Sequence, residues 1–121
     1  MTYGLVFEEA ALKEWEQLDG SVKAPLKKAL AKRLKSPHVP SDALRGALAG
    51  YYRIKLRKQG YRLIYRVDDK VIVIIVLAVG KRENDAVYIE AAARLTRVNL
   101  RATEELDVKR ALKKPVKRRV E

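Results

Sequence analysis

Between Tyr52 and Tyr88 the chain sets Arg53, Lys55 and Arg57 at alternate positions, then Arg62 and Arg66, then Val79-Gly80-Lys81-Arg82. Tyr88 follows six residues after Arg82, and the whole stretch contains no His, Cys or Ser. Chemistry done there must run on Lys, Arg and Tyr. That inventory suits a phosphodiester. Cations bind the phosphate, neutralise charge that builds in the transition state, and move protons where their surroundings shift their pKa. It suits neither metal-assisted hydrolysis nor a Ser-His-Asp hydrolase.

The elements that must hold these residues can be read from periodicity. Tyr52 to Arg57 alternates, with Ile54 and Leu56 on one face and Arg53, Lys55 and Arg57 on the other. Tyr61 to Val67 alternates again, setting Leu63, Tyr65 and Val67 opposite Arg62, Ile64 and Arg66. A hairpin of the two must keep its apolar sets on one face. A four-residue loop, Lys58 to Tyr61, does this and pairs Arg57 with Arg62 and Lys55 with Ile64. The cations then share the face away from the helices. Val71 to Val79 is continuous and β-branched, as a strand covered on both sides requires.

Upstream, Thr2 to Phe7 reads as a short strand. Ala11, Leu12, Trp15 and Leu18 then give a first helix over Glu8 to Leu18. Asp19-Gly20 ends it, and Ser21 is the expected cap of a second helix to Lys35, with Pro25 in its first turn. Asn84 to Leu95 is predicted to be a terminal helix. The order is β-α-α-β-β-β-α: an α+β domain over residues 1–95 with a helical hairpin on one face of an antiparallel sheet. Residues 96–121 form a basic extension in which Thr103 to Ala111 could be helical.

The 121 residues carry a net charge of +12 and no cysteine, which excludes disulfides and thiolate metal sites. The charge is unevenly placed: −4 over residues 1–20, +11 over 21–70, zero over 71–95 and +5 over 96–121. A field concentrated in the middle of the chain points to a polyanionic partner, nucleic acid first, with plain solubilisation as the bland reading. The one long apolar run is too short to span a bilayer as a helix, and no secretory signal opens the chain. A soluble, cytoplasmic protein is expected. His38, the only imidazole, lies away from the strand cations.

The wording of the motifs resembles RelE-type toxins of the RelE/ParE superfamily of bacterial toxin–antitoxin systems. It lies in Ala11-Leu12-Lys13-Glu14-Trp15, Ser36-Pro37, Leu44-Arg45-Gly46, Ile54-Lys55-Leu56-Arg57, Gly60-Tyr61-Arg62-Leu63 and Val79-Gly80-Lys81-Arg82-Glu83. It covers Met1 to about Leu95 and says nothing of the tail. It implies the RelE-like microbial RNase fold and a ribosome-dependent mRNA endonuclease that cuts the A-site codon. The 2′-hydroxyl attacks the adjacent phosphate and leaves a 2′,3′-cyclic phosphate and a 5′-hydroxyl.

The resemblance places the catalytic positions on Arg53, Lys55, Arg62, Arg82 and Tyr88. It gives Lys55 the 2′-OH, Arg62 the scissile phosphate, Arg82 the leaving oxygen and Tyr88 the cut nucleotide. Arg53 stands where the family often has Lys, which leaves Lys55 as the base. Arg45, Arg57, Lys58 and Lys81 are expected RNA-backbone contacts. No cofactor or metal is implied. The implied partners are the ribosome with its mRNA and an acidic, RelB-like antitoxin, through which the complex would bind operator DNA. The antitoxin would also displace the last helix and disorganise Tyr88. Free RNA is not expected to be cut. Two other functions stay open: a non-hydrolytic gyrase inhibitor of the same superfamily, and an RNA- or ribosome-binding protein.

Overall fold

The computed structural model describes the backbone of residues 2–101 and the side chains of residues 2–95. Its elements are β1 (Gly4–Phe7), α1 (Glu9–Glu16), α2 (Gly20–Lys35), β2 (Tyr51–Leu56), β3 (Tyr61–Asp68), β4 (Val73–Lys81) and α3 (Ala86–Arg101). Short 3-10 turns fill Pro40–Asp42, Gly46–Leu48 and Glu83–Asp85. The expected order of strands and helices is therefore the observed one.

The four strands form a sheet in the order β1-β4-β3-β2. It is antiparallel through β2, β3 and β4, but β1 pairs with β4 in parallel, from Gly4↔Val73 to Phe7↔Val76. The expectation of an antiparallel sheet is corrected at that one ladder. The α1–α2 hairpin carries the chain from one sheet edge to the other, so β1 and β2 run in the same direction. β4 lies inside the sheet, as its unbroken apolar run requires.

Two apolar clusters lie on the two faces. On one, Ala11, Leu12 and Trp15 of α1 and Val22, Leu26, Leu30 and Leu34 of α2 pack against Phe7, Ile54, Leu63, Tyr65 and Val76. Phe7 and Trp15 meet with ring centroids 5.4 Å apart. On the other, Val87 and Ala91 of α3 pack on Ile64, Leu77, Ala78 and Leu48. A register shift opposite Ile64/Tyr65 lets consecutive residues Leu77 and Ala78 both join this second cluster.

Three local expectations change. Asp19, not Ser21, caps α2: its carboxylate accepts from the Ser21 N–H at 3.2 Å and also from the Ser21 hydroxyl. The helix thus starts at Gly20, and Pro25 sits beyond the first turn, removing the donor that would meet the Ser21 carbonyl. The β2–β3 turn is Arg57 to Gly60, closed by Gly60 N–H donating to the Leu56 carbonyl at 2.8 Å with Gly60 at φ +71°. Tyr61 is therefore already paired, and the register moves by two residues: Leu56↔Tyr61, Lys55↔Arg62, Ile54↔Leu63. An even shift leaves every side chain on its expected face. Third, α3 begins at Ala86 and continues past Leu95 to Arg101. The anticipated helix from Thr103 and the basic cluster near the C-terminus lie outside the described residues.

Candidate active site

The register puts Lys55 directly opposite Arg62, and Arg62 in turn opposite Gly80 on β4. Strand alternation directs Arg53, Lys55, Arg62 and Ile64 to the sheet face that α3 covers, opposite the helical hairpin. α3 begins beside the cationic row, with Val87 Cβ 3.8 Å from where a side chain on Gly80 would start. The helix that carries Tyr88 therefore packs in van der Waals range of Gly80.

Each cation has a distinct setting. Arg62 is buried, and its guanidinium donates to the Tyr61 carbonyl at 2.9 Å. Lys55 is half-buried. The positive charges of Arg53 and then Arg57 hold its ammonium below its ordinary pKa of 10.5. Desolvation and Arg62 act in the same direction, and Asp42 opposes them. Arg82 is exposed, but its backbone N–H donates to the Gly60 carbonyl at 2.9 Å, and its Nε lies 3.9 Å from a Cβ built on Gly60. The end of β4 is thereby fastened to the β2–β3 turn, which sets Arg82 against Gly60. Tyr88 is half-buried and packs against the cluster under α3.

Arg53 is placed differently. Its Nε is 3.5 Å from Asp42 Oδ1, and the other Asp42 oxygen accepts from Arg33 of α2 at 2.6 Å. Arg33 also donates to the Arg53 carbonyl and to the Tyr65 hydroxyl, at 3.1 and 2.9 Å. Part of the Arg53 charge is thus spent within the fold, on a brace between α2 and the edge strand β2. Arg57, Lys58 and Lys81 are exposed. Arg45 is exposed just before the Gly46–Leu48 turn, whose Leu48 packs into the Tyr88 cluster.

Two polar groupings were not singled out from the sequence. Glu14 of α1 and Arg94 of α3 form an ion pair against β4, in which the arginine is buried and the carboxylate half-buried. His38 bridges Tyr52 (3.0 Å) and Asp69 (3.1 Å), and Asp69 also accepts from the Tyr3 hydroxyl at 2.6 Å. That chain staples the N-terminus, the loop after α2 and the β3–β4 turn. Neither has a local spacing signal, because the partners are far apart in sequence. Among the described residues no three His, Asp or Glu side chains group as metal ligands would, and no helix is long and apolar enough to cross a membrane.

The geometry is thus a helical hairpin on one face of a four-stranded α+β sheet, with a row of cations beside α3 on the other. The profile of the ParE toxin of type II toxin–antitoxin systems matches residues 5–86. The mRNA interferase toxin RelE of Escherichia coli K12 is 48% identical over 95 residues, 78% of this chain and 99% of that one. A solved structure of E. coli RelE with two arginines replaced, in the free state, matches with TM-score 0.69 at 48% identity, over 78% of this chain and 98% of that one. The toxin in the intact E. coli RelBE toxin–antitoxin complex matches with TM-score 0.64 at 48% identity, over 68% of this chain and 99% of that one. The chain belongs to the RelE/ParE family of type II toxin–antitoxin toxins.

Proposed function

We propose that the chain is the toxin of a type II toxin–antitoxin pair, a ribosome-dependent endoribonuclease that cuts mRNA in the A site and so stops translation. The observation that carries this is the Lys55–Arg62 pairing. Like charges directly opposite each other destabilise a strand pair, and no carboxylate bridges these two among the described residues. A phosphate between them removes the cost. The relative named as an mRNA interferase supports the same reading.

In the proposed reaction neutral Lys55 accepts the 2′-OH proton. The O2′–P bond forms, Arg62 holds the non-bridging oxygens through its planar fork, and the P–O5′ bond breaks with Arg82 at the leaving oxygen. The proton ends on O5′, giving a 2′,3′-cyclic phosphate and a 5′-hydroxyl with no metal required. A guanidinium is a weak acid, so Arg82 contributes mainly charge, and protonated Lys55 or water can supply the proton. Tyr88 stacks on or orients the cut nucleotide. Arg53 adds field and lowers the Lys55 pKa rather than touching the reacting atoms. Arg45, Arg57, Lys58 and Lys81 hold RNA phosphates.

We take residues 1–95 as the toxin unit, with α3 carrying the chain on to Arg101. The partners are the ribosome with mRNA and an acidic RelB-like antitoxin, through which the pair binds operator DNA in the cytoplasm. Gyrase poisoning, the other activity in the superfamily, has no need of the paired cations. Ribosome-bound mRNA carrying a single 2′-O-methyl group at the cut nucleotide tests the chemistry. Cleavage should disappear at that position alone, whereas continued cutting there would reject 2′-OH attack.

A further inference from the structure

Arg94 and Arg62 are the two buried charged residues among those described, and the proposed reaction uses only Arg62. The Arg94 guanidinium spans Glu14 of α1 with a two-pronged contact, 2.8 Å to each carboxylate oxygen. It also donates to Glu90 one turn back on α3 at 3.0 Å, and to the Leu77 carbonyl of β4 at 2.9 Å. Glu14 in turn accepts from the Val79 N–H at 3.2 Å. Leu77 and Val79 lie on β4 just beyond Val76, where β1 stops pairing. The Glu14–Arg94 pair thus satisfies the open edge of β4 and joins α1, β4 and α3 at one point.

Apolar contact also holds α3, through Val87, Tyr88, Ala91 and Leu95 among the described side chains. Its fully buried apolar anchors are Val87 and Ala91, both small. Its approach is strained: Asn84 and Asp85, neither of them glycine, have φ of 52° and 54°. Arg82 lies just before that strained turn and Tyr88 just after it. Arg94 is six residues beyond Tyr88, roughly 9 Å along the helix axis.

We propose that the Glu14–Arg94–Glu90 clasp is the device that positions Tyr88, and with it the Arg82 turn, over the Lys55–Arg62 row. Arg94 is a positioning residue. It never meets the RNA and acts by fixing the helix whose first turn does. This rests on the proposed nuclease reading for its effect on rate, but not for its effect on the helix.

Two measurements separate these. Hydrogen exchange of the Arg94→Met protein should show α3 amides from Tyr88 to Leu95 losing at least tenfold protection, while β3 amides keep theirs. Unchanged α3 protection would overturn the clasp whatever the protein does to RNA. Single-turnover cleavage on programmed ribosomes should then show Arg94→Met slower by about 100-fold, as for a small misplacement of a reacting geometry, with ribosome affinity retained. Arg94→Lys should recover part of the rate. In a Tyr88→Ala background Arg94→Met should add little. A full additive loss there would show that Arg94 does not act through Tyr88 and would overturn the positioning role. Failure of the unaltered toxin to cut would instead count against the nuclease reading.

Discussion

Lys55 works as a base only if a useful fraction of it is neutral, and its neighbours decide that fraction. Arg53 and Arg57 lower its pKa by charge repulsion. Removing one of them raises that pKa, leaves less neutral amine near pH 7 and moves the rate profile to higher pH. Arg57→Gln should therefore slow saturating single-turnover cleavage near neutrality and recover toward the unaltered rate in alkaline buffer. An unshifted profile would remove Lys55 from the role of base. At this scale the sequence was informative about identity, since the alternating cations announce a strand face without any alignment. It was silent on setting. Nothing local to Arg53 says that Asp42, eleven positions upstream, takes part of its charge, and nothing local to Arg94 points to Glu14.

Elements were legible wherever one periodicity dominated. Val22, Leu26, Leu30 and Leu34 mark α2, and all four are buried. Leu30, fully buried at 0% exposure, should cost about 2–5 kcal/mol of unfolding free energy when replaced by Ala, read from denaturant midpoints. Pairing was less legible, because it depends on long-range partners and turn geometry. The positive φ of Gly60 closes the hairpin one residue earlier than expected, and the parallel β1–β4 ladder follows from a crossover that periodicity does not encode. The brace at the β2 edge is likewise tertiary: the Tyr65 hydroxyl donates to the Pro37 carbonyl at 2.7 Å and accepts from Arg33. Tyr65→Phe leaves both partners short of a bond and should destabilise by about 1–3 kcal/mol in urea unfolding. A stability equal to that of the unaltered chain would mean solvent replaces the hydroxyl.

Across the whole molecule, positive charge occupies both sides of the sheet. Lys27, Lys28, Lys32 and Lys35 are exposed on α2, on the face opposite the Lys55–Arg62 row. Among the described residues none of these four pairs with a carboxylate. Lys28 and Lys32, four apart, repel each other on the helix surface. A partner that meets both faces must surround the domain, as the RNA walls of a ribosomal cavity would and a single extended strand would not. Replacing Lys27, Lys28 and Lys32 by Gln should reduce the slope of log affinity for ribosomes against log salt by about 2–3. The rate at saturation should hold, since these side chains are remote from the row. Under the proposed mechanism free RNA should stay intact, because nothing there holds the 2′-OH in line for attack.

Cleavage of mRNA in the A site is the central property proposed for this chain. Primer extension on mRNA from programmed ribosomes with an empty A site, comparing the unaltered toxin with Arg82→Ala, tests it directly. Discrete stops within the A-site codon that vanish in Arg82→Ala, with ribosome binding nearly unchanged, are the expected result. Intact mRNA with both proteins despite tight ribosome binding would contradict it and leave a binding protein or a gyrase poison in its place.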